Sequence, residues 1–132
     1  MIPTPFWLDR DTVIAFHYEN LQRFGGPEGI RDIALLESAL ARPENKHVYA
    51  SEFDLAGLAA AYAYGIARNH PFIDGNKRAA YVAMEVFLLV NGFALELDEA
   101  DAITTFLSLA AGDLTEDQLA TWIRDHMVAR LS

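Results

Sequence analysis

Apolar residues recur at helical spacing along most of the chain, and Gly, Pro and capping residues cut the pattern into six segments. Val13, Ile14, His17, Leu21 and Phe24 form the first stripe, which Gly25, Gly26 and Pro27 halt. In "GIRDIALLESALARP", Asp32 is placed to cap a second helix with Leu35, Leu36, Ala39 and Leu40 on its inner face, and Pro43 predicts its end. The stretch "RPENKHVYASEFD" is polar, with a brief alternation at His47, Val48 and Tyr49, which predicts a loop with room for a strand or small hairpin. Leu55, Leu58, Ala59, Tyr62 and Ile66 then restore the helical stripe as far as Arg68, before Pro71 breaks it.

A fourth helix starts within Asn76 to Arg78 and ends at Gly92. Ala80, Val82, Ala83, Met84, Val86, Phe87, Leu88 and Val90 surround it on nearly all sides, so it is expected at the centre of the domain. Residues 93–95, "FAL", read as a short extended piece. Asp98 is placed to cap a fifth helix with Ile103, Phe106, Leu107 and Ala110 inward and Gly112 as its stop. Thr115 followed by Gln118 is a capping-box pattern, opening a sixth helix striped by Leu119, Trp122, Ile123, His126 and Met127. Short connections and the absence of repeats or linkers predict one compact all-α domain over residues 1–132, about six helices around a central buried one, with one small β-hairpin at most.

Composition agrees with a globular domain. The 132 residues are 52% hydrophobic and 22% charged, enough to bury a core without staples. Ten Lys and Arg against nineteen Asp and Glu give a net charge of -9, which argues against a nucleic-acid surface and requires any phosphate binding to be local. Cysteine is absent, which excludes disulfides and thiolate metal sites and suits a reducing cytoplasm. "MIPTPFWLDRD" has neither the basic start nor the apolar run of a signal peptide. The apolar segment Ala79 to Val90 carries Glu85 and falls short of the ~18 residues of a membrane span, so no membrane partner is expected.

Against this background "RNHPFIDGNKR", residues 68–78, stands out, because a dense polar cluster abuts the start of the most apolar helix. A helix N-terminus presents unpaired N–H groups and the positive end of its dipole. Gly75 lets the chain curl those groups into a concave nest, and Asn76, Lys77 and Arg78 add donors, so phosphate is the expected ligand. Asp74 is suited to a Mg²⁺ ion bridging phosphate oxygens. His70 is a residue of the type that can take a proton from an attacking hydroxyl. Phe72 is expected to turn inward and pin the loop. Together these residues suit phosphoryl or nucleotidyl transfer.

"HPFIDGNKR" resembles the motif of the Fic family, and with "FGGPEGIRDIALLESALARP" and "VNGF" it is similar to the death-on-curing (Doc) toxin branch, over roughly Asp11 to Met127. The resemblance implies that His70 is the base, Asp74 the Mg²⁺ carboxylate, and Gly75, Asn76, Lys77 and Arg78 the phosphate cradle. Lys77 stands where adenylylating Fic enzymes have Gly, and Tyr81 where they have a second Arg. The branch therefore implies a reversed nucleotide and a protein kinase that uses ATP on a Thr of elongation factor Tu, restrained by a separate antitoxin. The alternatives are a protein adenylyltransferase and a catalytically silent binding module of a toxin and antitoxin pair. The resemblance also implies that "NKHVYA", residues 45–50, forms a flap that pairs with target peptide. No inhibitory Ser or Thr precedes Glu19-Asn20 or Glu44-Asn45 at the required spacing, since Ala15 and Leu40 stand there.

Plainer readings compete for the same residues. Asp74 and Asn76 could simply cap the helix, with Arg68 or Arg78 paired to Asp74. His70 and Asp74 could instead belong to a metal-dependent hydrolase, although His17, His47 and His126 are scattered. His17 and His126 fall near apolar stripes and read as core or boundary residues, and Tyr62, Tyr64, Phe87 and Trp122 as core. Arg68 is given no catalytic role.

Overall fold

A computed structural model describes residues 4–49 and 54–130. Six helices follow in order, α1 (Arg10–Phe24), α2 (Ile33–Tyr49), α3 (Leu55–Asn69), α4 (Asn76–Val90), α5 (Glu99–Ala110) and α6 (Glu116–His126). Strand β1 (Phe93–Leu95) follows α4, and β2 (Met127–Ala129) follows α6. The two strands pair antiparallel with Ala94 opposite Val128. Among the described residues the fold is all-α with one small sheet; the hydrophobic spacing predicts the six helices, while the sheet joins residues 93–95 to 127–129 and not the expected 45–50.

Local chemistry sets the helix starts. Asp9 accepts from Thr12 N at 2.7 Å, Asp32 from Leu35 N at 3.1 Å and Asp54 from Gly57 N at 2.8 Å. Each satisfies an N–H that the first helical turn leaves unpaired. At α6 the capping box is complete, with Gln118 N donating to Thr115 Oγ1 and Thr115 N to Gln118 Oε1.

The core is built around α3, where Ala56 to Ala63, Gly65, Ile66 and Ala67 are all buried. Helices α2, α4 and α6 pack on it, and α4 lies on one side rather than at the centre, with Val90 exposed. The expectation for α4 weighed hydrophobicity per residue. Small residues decide instead: a helix that is Ala and Gly on most faces lets several neighbours approach closely. A Cβ on Gly65 would already stand 3.3 Å from the Cα, Cβ and carbonyl oxygen of Ala39 in α2.

Four local expectations are corrected. Pro43 does not end α2 but sits buried inside it. It leaves the Ala39 carbonyl without a helical donor and crowds it, and burial of the ring works against that loss. Residues 45–49 consequently continue the helix instead of forming an extended flap, and Ala50 lies outside the described residues. On α5, Ile103 and Leu107 are 54% and 51% exposed, while Ala102, Phe106 and Leu109 face the core. Met127, read as helical, lies in β2 and pairs with Leu95 of β1.

Candidate active site

The motif loop joins the C-terminus of α3 to the N-terminus of α4. His70 caps α3 in the left-handed region, φ 48 and ψ 55, and is the one non-glycine residue with positive φ among the described residues. Side chains rarely adopt this region and need surrounding contacts to hold them there. Residues 29–32 provide those contacts. Arg31 donates from Nε to the His70 carbonyl at 2.7 Å and from Nη2 to that of Asn69 at 2.8 Å. The N–H groups of Arg31 and Asp32 share the Pro71 carbonyl, and Ile73 N donates to Gly29 O.

Phe72 is 1% exposed and anchors the loop, as expected. The Asn76 carboxamide closes a ring around it, accepting from Phe72 N at 3.0 Å and donating to Phe72 O at 2.9 Å. The same Nδ2 lies 3.4 Å from Nδ1 of His70, which links that ring to the loop's hydrogen-bonded frame. With its side chain so engaged, Asn76 offers an anion its main-chain N–H.

Gly75 is the N-cap of α4, φ 78 and ψ 20, and no side chain caps the helix. The first intrahelical bond here runs from Ala79 N to Gly75 O, so the N–H groups of Asn76, Lys77 and Arg78 precede it. The capping reading therefore fails at this helix. The pairing reading fails too, because Arg68 donates to Tyr64 Oη at 2.8 Å and Arg78 lies over the Phe24 ring, 3.8 Å from its centroid. Asp74 is exposed and makes no hydrogen bond or salt bridge among the described residues. Gly26, φ 122, permits its placement, since a Cβ there would stand 2.7 Å from Asp74 Oδ2.

His70, Asp74, Gly75, Asn76, Lys77 and Arg78 thus line one cleft of about 510 Å³, with His17, Leu21 and Ala67 also in its wall. This cleft holds every residue that the motif assigns to chemistry. Arg68 opens on a different groove, between α2 and α3. His47 packs edge-on to Trp7, and His126 tilts against Trp122, both away from the loop. No group of three or more His, Asp or Glu positioned to hold a metal occurs among the described residues. A cation here would rest on Asp74 and on oxygens of its own ligand and water, the pattern that Mg²⁺ adopts with nucleotides.

Two contributors escape a reading of the sequence. Arg31 is separated from His70 by 39 positions, and nothing in "GIRD" marks it as a support for a distant loop. His17 reads as a core residue and is indeed 4% exposed, yet it also forms part of the cleft wall, stacked on Phe72 at 3.7 Å. Burial lowers its pKa, and the nearby Asp74 charge opposes that shift.

Over 93 residues the chain is 39% identical to Toxin Doc of Mycolicibacterium smegmatis, a span covering 70% of this chain and 69% of that protein. Over 114 residues it is 30% identical to Protein kinase doc of Escherichia phage P1, covering 86% and 90% respectively. The Fic/DOC family model matches residues 7–88, from the strand of chain before α1 to the apolar half of α4, and the chain belongs to that family.

Proposed function

We propose that the chain is a Doc-type toxin, a protein kinase that moves the γ-phosphoryl group of ATP to a hydroxyl of a target protein. One observation carries the reading: the uncapped, left-handed N-terminus of α4 faces the same cleft as His70, with Lys77 and Arg78 beside it. The relative named Protein kinase doc supports the choice of reaction, and the relative named Toxin Doc supports the biological role.

In this mechanism His70 accepts the proton of the attacking hydroxyl. The hydroxyl oxygen bonds to the γ-phosphorus as the bond from that phosphorus to the β,γ-bridging oxygen breaks, and ADP leaves with the electron pair. The open N–H groups and the Lys77 and Arg78 side chains face the charge that develops on the phosphate oxygens. Asp74 is the residue that would hold Mg²⁺, and the ion would neutralise the phosphate chain when bound.

Adenylyl transfer is the second reading, and Tyr81 weighs against it. The Tyr81 hydroxyl donates to Glu85 Oε2 at 3.3 Å and its ring meets Phe106 edge-on, so no cation stands where adenylylating relatives have a second Arg. The Doc relationship further points to a Thr of elongation factor Tu as acceptor, to the cytoplasm as site of action and to a separate antitoxin as restraint. No described helix is long and apolar enough to cross a membrane. Adding the protein and γ-labelled ATP to a translating lysate tests the target. Label on elongation factor Tu with arrest of translation is the expected result; label on another protein moves the target, and no label leaves the binding-module reading.

A further inference from the structure

Reading the loop as a polyphosphate nest leaves one polar group unexplained. His17 sits in the middle of α1, 4% exposed, in the wall of the cleft that Asp74, Gly75 and Lys77 also line. Its Nε2 is sealed from solvent and has no hydrogen-bond partner among the described residues. The ring stacks on Phe72 with centroids 3.7 Å apart and planes 19° from parallel. A phenylalanine would fill that stack without a buried nitrogen, which costs free energy when unpaired. Packing alone does not account for an imidazole here.

Another edge of the ring does. A Cβ on Gly75 would stand 3.1 Å from Cε1 and 3.7 Å from Nδ1 of His17, so this edge lies directly beneath the residue that turns the chain into the nest. Sealed N–H groups without an acceptor are rarer than sealed acceptors, so the ring proton belongs on Nδ1 and the lone pair on Nε2. The proton then lies on the Gly75 side of the ring. Because residue 75 is glycine, no side chain stands between that donor and the cleft.

We propose that His17 is a further anion-binding residue, its Nδ1–H adding a side-chain donor to the main-chain N–H groups of the nest for a phosphate oxygen of the ligand. The proposal rests on the reading of the loop as a phosphate site, not on which phosphate is transferred. Gly75 gains a second reason to lack a side chain. It permits the left-handed turn, and it leaves open the gap through which His17 reaches.

Inorganic tripolyphosphate is the probe, because its binding requires no reaction. In free ¹⁵N-labelled protein the ring nitrogens of His17 should report a proton on Nδ1 and a bare Nε2, and the Nδ1 signal should move on saturation with tripolyphosphate. His17→Phe keeps the stack on Phe72 and removes the buried nitrogen. It should melt no lower than wild type, yet bind tripolyphosphate about tenfold more weakly or worse. A proton on Nε2, a Nδ1 signal unmoved by the ligand, or unchanged affinity in a folded His17→Phe protein would each overturn the assignment. Should His17→Phe not fold, the ring signals of the wild type still decide. Wild-type protein that binds no tripolyphosphate removes the nest reading itself, an outcome distinct from loss of His17 alone.

Discussion

At the scale of single residues, backbone conformation narrows which substitutions are informative. His70 holds a left-handed φ of 48, a region where Asn is among the better tolerated side chains and Ala among the poorer. His70→Asn therefore removes the proposed base with little added strain. Transfer should fall ~10²-fold or more, while nucleotide affinity and melting temperature stay near wild type. Retained transfer would take His70 out of the mechanism. Gly26→Ala tests Asp74 without touching it: a Cβ at φ 122, aimed 2.7 Å from Asp74 Oδ2, must displace the carboxylate. Mg²⁺-dependent nucleotide affinity should drop in a Mg²⁺ titration while Mg²⁺-independent binding persists. The motif residues were legible in the sequence because a loop and the helix after it lie in one continuous stretch. Arg31 and His17 were not, because the contacts that give them their roles form only once α1 and the start of α2 pack against that loop.

At the scale of elements, Asp54 ties two of them together. It caps α3 through Gly57 N and receives Arg124 of α6 at 2.6 and 2.9 Å. Hydrogen bonds from Arg124 chiefly hold its pKa below the ordinary 3.8; burial, the next largest effect, opposes them, and the Gly57 N–H lowers it further. A lowered folded pKa means a contribution that is full above 3.8 and fades as pH falls through the lower folded value. Asp54→Ala loses the cap and should cost about 1–2 kcal/mol. The ion pair adds little, because both side chains are close to half exposed. Asp54→Asn keeps the cap and discards the charge, so thermal melts of wild type and Asp54→Asn should separate above pH 3.8 and converge only as pH falls through the lower folded pKa. Helix starts of this kind were legible, since an Asp or a Thr-to-Gln pair acts within one turn. The end of α2 was not: Pro43 is a local stop signal, but burial of its ring outweighs a single missing hydrogen bond. The same balance turned the expected flap segment into helix.

At the scale of the whole molecule, a chain with a net charge of -9 keeps a cationic helix start open at one cleft. The all-α architecture follows from spacing alone, but the identity of the central helix depends on how close neighbours can come, which hydrophobicity does not report. Alanine-rich α3 takes that position, and its C-terminus delivers His70 to the cleft while α4, packed alongside, delivers the nest. On the proposed reading one helix pair fixes both base and nest, and the measurement that bears on it most directly asks which phosphate is transferred. ATP labelled separately at the α- and γ-positions, given with one target protein to wild type, answers this directly. The account predicts γ-label on the target and none from the α-position, with both absent in His70→Asn. Transfer of α-label by wild type would contradict it and make the chain an adenylyltransferase.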